Sequence, residues 1–453
     1  MDLRQKQVVV VGLGTSGVAA VRFLVRREAR VTVTDRAPAE SLTAPIAALK
    51  GLDVELKLGG HDSRDFSNAD LVVLSPGVPH TMPLLEPAWA RGIPVIGEME
   101  LASRFVNEPI LAVTGTNGKT TTTELIGAML KKSGQRAFVG GNIGTPLIAY
   151  ADEPRKWADV VVVEVSSFQL DTILGFHPAT AVMLNISDDH LDRYASFNAY
   201  AESKWRIFSN QQTTDAAVLN KMDATIAAML DRHCPESRCL LFSERAVVKG
   251  AKILRDRILM VNGGREHSSF SLEKSGLIGP HNRENIAAAC LAAREHGATE
   301  AGIQQAIDDF KGLPHRLETV ATVQGVRFVN DSKATNVDAV NRALECFDRP
   351  VILIMGGRNK KGDFTLLKSR VRKHVKTLVA MGEARDEIVT ALAGDPGKGI
   401  VEAGSMQVAV EKALEKADPG DTVLLSPACA SFDMFDNYAH RGERFRQAVE
   451  MLG

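Results

Sequence analysis

The chain lacks the features that would mark a secreted, membrane-spanning or nucleic-acid-binding protein. Only five of its 453 residues are cysteine. Cys234, Cys239, Cys290, Cys346 and Cys429 are scattered, odd in number and form no C-x-x-C pair. That argues against a disulfide framework and a structural zinc site, and it fits a reducing cytosol. His233, Cys234 and Cys239 lack metal spacing on both sides and read as structural. Charge of one sign is also missing, since Lys+Arg 54 against Asp+Glu 55 leaves a net charge of -1. No global field draws such a chain to nucleic acid or an anionic membrane. Aromatic residues are 5% of the whole and form no stripe with basic ones. No apolar run approaches the roughly 20 residues of a membrane span. The opening MDLRQKQVVVVGLG passes from charge into strand-like residues without a signal-peptide layout. These absences predict a cytoplasmic protein with no nucleic-acid partner and no stable membrane association.

What is present is ordinary in bulk and organised in detail. The composition, 45% hydrophobic and 24% charged, is that of a globular protein. At about 150 residues per domain the length predicts three domains. The first hundred residues alternate strand and helix patterns. Val8–Val11 is a β-branched run, followed by Gly12-Leu13-Gly14-Thr15-Ser16-Gly17 and a helical stretch. Val31–Thr34, Val54–Leu58, Leu71–Leu74 and Pro94–Ile96 are further strands. A second unit opens at Ile110–Val113 and contains Asp159–Val165 and Thr180–Asn185 as buried parallel strands. Residues 215 to 275 are more mixed, with a short strand at Arg257–Val261 and turn signals at Asn262-Gly263-Gly264. Asn282–Glu295 is an alanine-rich helix, and Gly312-Leu313-Pro314 reads as a hinge. In a third unit, Val351–Met355, Thr377–Met381 and Thr422–Leu425 each run into a small-residue loop. The predicted class is α/β in three domains: a Rossmann-like domain over 1–97, a P-loop ATPase-like domain over 98–312 and a Rossmann-like α/β domain over 313–453. Ligands are expected at the carboxyl ends of the strands.

Gly12-x-Gly14-x-x-Gly17, with Asp35 ending the next strand, fits a dinucleotide fingerprint. Physically it says less: small residues let backbone N–H groups approach a phosphate at a helix N-terminus, and any pyrophosphate satisfies that. Thr114-Gly115-Thr116-Asn117-Gly118-Lys119-Thr120-Thr121 is sharper. Its backbone would cradle phosphates, Lys119 would reach the β/γ-phosphates, and the Thr120 hydroxyl suits Mg²⁺. The first glycine stands three rather than five residues before Gly118, a departure from the full Walker pattern. Glu164, at the end of a valine run, is placed either to hold Mg²⁺ or to cap the following helix. In Asn185-Ile186-Ser187-Asp188-Asp189-His190, the acids taken singly read as a solvated loop, and His190 as a metal ligand. Cys429 reads as a small buried residue.

Taken together, GLGTSG, TGTNGKTT, EVSSFQL, NISDDHLDRY, GPHNREN, PHR, NDSKATN and SPACASFDMF, in that order, resemble the Mur ligase family of peptidoglycan synthesis along the whole chain. GLGTSG is similar to members with a uridine-nucleotide domain, NDSKATN with SPACASFDMF to the D-glutamate-adding branch, and the DNPR motif of the diaminopimelate-adding branch is absent. The resemblance implies ATP-dependent amide bond formation between UDP-MurNAc-L-Ala and D-glutamate, through an acyl phosphate and a tetrahedral intermediate. It implies Lys119, His190 and Lys204 as catalytic residues. It implies ATP contacts from Gly115, Thr116, Asn117, Gly118, Lys119, Thr120, Thr121, Asn282, Asn285, Arg316 and Asp331. The UDP-substrate would meet Gly14, Thr15, Ser16, Asp35, Arg36, Ser75, Gly77 and Asn142. D-glutamate would meet Lys333, Thr335, Lys360, Ser431, Phe432 and Tyr438. Two Mg²⁺ ions would be held by Thr120, Glu164, His190 and Lys204, the last as a carbamate formed with CO₂. From sequence alone Lys204 is an ordinary helix lysine, so its role rests on the resemblance. Two residues depart from the family pattern: Arg358 follows the glycine pair where an acid is frequent, and Tyr438 replaces a usual phenylalanine. The resemblance further implies a monomer whose C-terminal domain closes about Gly312–Pro314.

Three other functions remain open at this point. Another Mur-family or folylpolyglutamate-type ligase would use the same P-loop with a different amino acid. An NAD-dependent dehydrogenase would use GLGTSG but leave TGTNGKTT without a purpose. A non-catalytic nucleotide switch would need Lys119 but not Thr335 or Ser431.

Overall fold

Valine, isoleucine and leucine runs flanked by glycine turns build the sheets. The computed structural model describes residues 1–153, 157–189, 193–397 and 399–453. In the first domain, strands β1 (Gln7–Val11), β2 (Arg30–Asp35), β3 (Val54–Leu58), β4 (Leu71–Leu74) and β5 (Val95–Gly97) form a parallel sheet in the order β3-β2-β1-β4-β5. The order reverses between β1 and β4, so the loops after these two strands open a crevice. Gly17 lets the helix Thr15–Arg26 pack against the loop after β1, since a Cβ there would lie 2.1 Å from the Gly12 carbonyl oxygen.

The second sheet has nine strands: β6 (Ile110–Thr114), β7 (Ala137–Gly141), β8 (Val160–Glu164), β9 (Thr180–Met183), β10 (Ala216–Asn220), β11 (Arg238–Ser243), β12 (Gly250–Ile253), β13 (Arg257–Asn262) and β14 (Arg265–Ser271). From β7 through β8, β6, β9, β10, β11 and β12 it is parallel; β13 and β14 add an antiparallel hairpin at one edge. The Asn262-Gly263-Gly264 turn signals lie where this hairpin turns. The third sheet runs β15 (Glu318–Val323), β16 (Val326–Asn330), β20 (Thr422–Leu425), β17 (Val351–Gly356), β18 (Val375–Met381) and β19 (Ile400–Ala403), antiparallel only between β15 and β16. The sequence reading missed the β15–β16 hairpin and β19. β15 is half-exposed and β19 is short, and the buried β16 is interrupted by Arg327 and carries no long apolar run.

The junction between the first two domains is apolar. Met99, Leu101 and Ala102 on the helix Glu98–Ser103 are buried in a core that joins Val8 and Phe23 to Leu147 and Phe176. Two carboxylates enter that core. Glu100, fully buried, accepts the backbone N–H groups of Leu174 (3.1 Å), Gly175 (3.1 Å) and Phe176 (2.8 Å) and pairs with Arg104. Glu98 accepts Ile148 N–H at 2.7 Å, and burial pushes its carboxyl up to about 7. Among the described residues no helix is long and apolar enough to cross a membrane.

Glu100→Ala strips three buried donors and one guanidinium of their acceptor. The expected loss is about 3 kcal/mol of unfolding free energy. Faster amide exchange at residues 174–176 should accompany it. An unchanged exchange pattern there would show that Glu100 does not anchor this loop.

Candidate active site

Parallel strands end at one edge of the sheet, and three neighbouring strands deliver the central site. β6 feeds the P-loop and the helix Lys119–Lys132, β8 ends on Glu164, and β9 leads to Asn185–Asp189. Gly118 caps the P-loop helix with φ 85, and a Cβ there would lie 2.3 Å from Asn285 Oδ1. Only glycine fits on both counts. Lys119 folds back on its own loop, Nζ donating to the carbonyls of Gly115 and Thr116 at 2.9 Å each. Lys204, 2% exposed, donates from Nζ to the same Gly115 carbonyl at 2.8 Å. Burial, and then the neighbouring Lys119 charge, drives Lys204 well below the usual lysine range. Burial lowers Lys119 as well.

Glu164, also 2% exposed, is not a helix cap. The cap of the helix Ser167–Leu170 is Ser166, in a reciprocal box with Gln169. Glu164 instead accepts Thr120 Oγ1 on Oε2 (2.7 Å) and Asn142 Nδ2 on Oε1 (2.9 Å). Arg316 reaches across from the third domain and donates to Thr120 Oγ1 at 2.6 Å. His315 and Leu317 flank it in the left-handed region, at φ 63 and 46. That strain points to a positioned guanidinium.

Three cavities meet here. One of about 970 Å³, at the β1/β4 crevice, is lined by Gly14, Thr15, Ser16, Asp35, Arg36, Ser75, Gly77 and Asn142, all eight residues expected there. The Asp35 carboxylate is already committed to its own backbone, accepting Leu13 N–H at 2.7 Å and Ala37 N–H at 2.8 Å. Gln169, His61 and Arg193 also line this cavity. The second, about 300 Å³, holds Thr116, Asn117, Gly118, Lys119, Thr120, Glu164, Lys204, Arg316, Lys333, Thr335 and Lys360. Asn142 belongs to both. The third, about 80 Å³, brings Thr121, Asn282, Asn285 and Asp331 against Asn117, Gly118 and Arg316. Asn285 Nδ2 donates to Asn282 Oδ1 at 3.0 Å.

Ser431 and Phe432 do not line the central cavity. Ser431 is buried, and its carbonyl accepts Met434 and Phe435 N–H at 3.3 and 2.9 Å, while Phe432 is 65% exposed. Tyr438 takes the Lys333 ammonium on its ring face, 3.7 Å from the centroid. Burial, with Arg316 nearby, pulls Lys333 down to about 8. Arg358 points to Glu383, with two contacts at 2.8 Å. His190 lies outside the described residues.

Asp189 and Arg441 are among the residues that escaped the sequence reading. Asp189 was expected in a solvated loop, yet its side chain is 8% exposed, accepting Lys360 Nζ at 2.6 Å and Asn336 Nδ2 at 3.1 Å. The reason is the third domain, which covers the loop. Arg441, 1% exposed, braces the loops after β16 and β20, donating to Ser332 Oγ (3.0 Å), Ser332 O (2.8 Å) and Cys429 O (3.0 Å). Burial lowers it to about 10.

Thr120 and Glu164 present two hard oxygen donors beside the phosphate loop. That donor set fits Mg²⁺, which takes one or two protein oxygens and completes its shell from phosphates and water. Among the described residues no cluster of three or more His, Cys, Asp or Glu forms a self-sufficient metal cage.

The chain matches three family models: "Mur ligase MurD-like, N-terminal domain" over residues 6–97, "Mur ligase middle domain" over 113–293 and "Mur ligase, glutamate ligase domain" over 315–429. It is 49% identical to the UDP-N-acetylmuramoylalanine--D-glutamate ligase of Desulfosudis oleivorans, covering 100% of this chain and 98% of that one. The enzyme of the same name from Geobacter metallireducens is 44% identical, over 100% and 99%. A solved UDP-N-acetylmuramate-alanine ligase from Thermotoga maritima shares the fold at TM-score 0.60 and 19% identity, covering 99% of this chain and 100% of that one.

Asp331 supplies a test of the electrostatics. Burial raises its carboxyl to about 7, against hydrogen bonds from Ser426 Oγ (2.9 Å) and Leu317 N–H (3.3 Å). A carboxyl raised by folding takes up a proton on folding. Its contribution to stability is therefore complete below about pH 4 and lost as pH rises through about 7, on the order of 4 kcal/mol. Asp331→Asn should flatten the unfolding midpoint between pH 4 and 7. Parallel pH curves for variant and wild type would contradict this.

Proposed function

The chain belongs to the Mur ligase family, and from that membership and the geometry of the central site we propose how it works as an ATP-dependent ligase joining D-glutamate to UDP-N-acetylmuramoyl-L-alanine in peptidoglycan synthesis. The observation that carries the reading is the run of cavities from the uridine-type crevice, through Asn142, to the P-loop and on to Lys333, Thr335 and Lys360. Three anionic ligands need three sites that meet at one point. Residues 1–97 would bind the UDP-substrate, 98–312 ATP and 313–453 the amino acid, in a cytoplasmic monomer.

A carboxylate is a poor electrophile, so its oxygen first takes the γ-phosphoryl group of ATP, giving an acyl phosphate and ADP. Such a transfer depends on positioning and charge neutralisation. Lys119 is free to leave its two loop carbonyls for the β/γ-phosphates, and Arg316 is held on Thr120 beside the transferred group. Thr120 and Glu164 would hold Mg²⁺, with His190 on a second ion; bound there, the metal offsets phosphate charge. The D-glutamate amine then attacks the acyl carbon, forming the C–N bond and a tetrahedral centre, and the C–O bond to phosphate breaks as the amine loses its proton. Lys333, Thr335 and Lys360 would orient the glutamate carboxylates. Burial that lowers the Lys204 pKa favours its neutral amine, the form that would add CO₂ to give an anionic carbamate and release a proton. A carbamate would place a negative charge beside the Gly115 carbonyl and supply oxygen ligands to metal.

Phosphate release from ATP should require UDP-N-acetylmuramoyl-L-alanine and D-glutamate together. L-glutamate, L-alanine or meso-diaminopimelate should not replace the latter. Lys119→Ala and Thr335→Ala should each lower turnover by at least about 100-fold. Turnover with another amino acid of the panel, or full activity in Thr335→Ala, sinks the reading. A second check uses pH. Lys333 loses its proton above about 8, so KM for D-glutamate should climb beyond that pH, and Lys333→Arg should abolish the climb.

A further inference from the structure

The P-loop asparagine is gripped from the opposite domain. Asn117 Nδ2 donates to Asp338 Oδ2 at 2.8 Å, and Asn336 Nδ2 reaches Asn117 Oδ1 at 3.4 Å. On its other side the same residue is fixed through its peptide groups. Its N–H donates to Asn185 Oδ1 at 2.8 Å, and its carbonyl accepts Asn185 Nδ2 at 3.0 Å. Asp338 Oδ2 also accepts Ser187 Oγ at 3.0 Å and Arg342 Nε at 2.9 Å. Arg342 lines the small cavity beside Asn282 and Asn285 and reaches Glu284 Oε2 at 3.4 Å. One carboxylate of the third domain thus gathers the P-loop, the loop after β9 and the wall of the nucleotide cavity.

The local structure suits this task. Asp338 stands in the first turn of the helix Val337–Leu344, where the helix N-terminus favours a negative charge. Asn336 caps that helix, its Oδ1 accepting Ala339 N–H at 2.8 Å, so both residues that meet Asn117 are held rigidly. Phosphate binding by a P-loop depends on how its peptide N–H groups point. Asn117 immediately precedes Gly118, the residue whose left-handed backbone starts the phosphate-binding helix. A hold on both ends of the Asn117 amide and on both of its peptide groups therefore sets the orientation of that turn.

We propose that Asp338 is a positioning residue for ATP: by holding Asn117 it lets the P-loop adopt its binding geometry only while the third domain is seated. The proposal rests on the reading of this loop as the ATP site. Calorimetric titration of the whole protein with Mg²⁺ and a non-hydrolysable ATP analogue tests it without any amino acid present, so failure of the D-glutamate assignment is read separately. Asp338→Ala should weaken analogue binding about tenfold. Asn117→Ala should weaken it by a similar factor, and the double variant by clearly less than the product of the two, because both singles lose the Asn117–Asp338 contact. Asp338→Asn keeps the size without the charge; it should fall between, and it replaces Asp338→Ala in the cycle if that variant melts well below the wild type. KM for the UDP-substrate, at the far cavity, should stay within about twofold. Unchanged affinity in the single variants, losses that multiply in the double variant, or a parallel rise in the UDP-substrate KM would each overturn the proposal.

Discussion

Two lysines share one carbonyl oxygen, and the chemistry of the centre follows from that. Gly115 accepts from both Lys119 and Lys204. Two ammonium groups side by side, shielded from water, are expensive. The better-buried one, Lys204, is driven further below the usual lysine range. Around this pair stand Arg316, Lys333 and Lys360, answered by Glu164 and Asp189. Cationic side chains outnumber anionic ones in the cavity wall, and the deficit is what a triphosphate and substrate carboxylates bring. A net charge of -1 over the whole chain conceals this local excess.

Sheet geometry explains how residues so far apart in sequence converge. Val113 pairs with Glu164, Gly141 with Glu164, and Thr114 with Met183. The P-loop, Asn142, Glu164 and the Asn185–Asp189 loop therefore leave four adjacent strands at one edge. The third sheet repeats the device. Asn330 pairs with Leu425, so Asp331–Asn336 and Ser426–Ser431 emerge side by side, and Arg441 ties them. Each sheet has a switch of strand order, and each switch opens a binding edge.

The sequence was legible where a residue's task is local. Glycine-rich turns after valine runs identified the first crevice and the P-loop, because backbone approach to phosphate demands small residues at fixed spacing. It was silent where the task is distant. Glu98 and Glu100 look like the solvated acids of any short helix, yet both are buried at the junction of the first two domains. Asp338 looks like a first-turn helix acid, and nothing near it in sequence points to Asn117. Asp189 read as solvated because its cover, Lys360, lies 171 residues away. Asp35 lines the first crevice as expected, and what the sequence did not show is that its oxygens also accept Leu13 and Ala37 N–H.

The two domain junctions are made of different material, and that difference sets how much each costs to separate. Between the first and second domains the core is continuous: Phe23, Leu101, Leu147 and Phe176 belong to one buried cluster. Separating them exposes apolar surface at roughly 25 cal/mol per Å² and strands the Glu98 and Glu100 carboxylates. The third domain keeps its own cores, built from Val329 to Cys429 and from Val326 to Val449. It meets the second through polar pairs: Arg316 with Thr120, Asp338 with Asn117 and Ser187, Lys360 with Asp189. Water replaces such partners at small net cost, since each hydrogen bond contributes only about 1 kcal/mol overall. Gly312, at φ 90 in the connecting segment, supplies backbone freedom where the chain crosses. The polar junction is therefore the one that costs less to separate, and two of the contacts across it, Arg316 with Thr120 and Asp338 with Asn117, touch the P-loop.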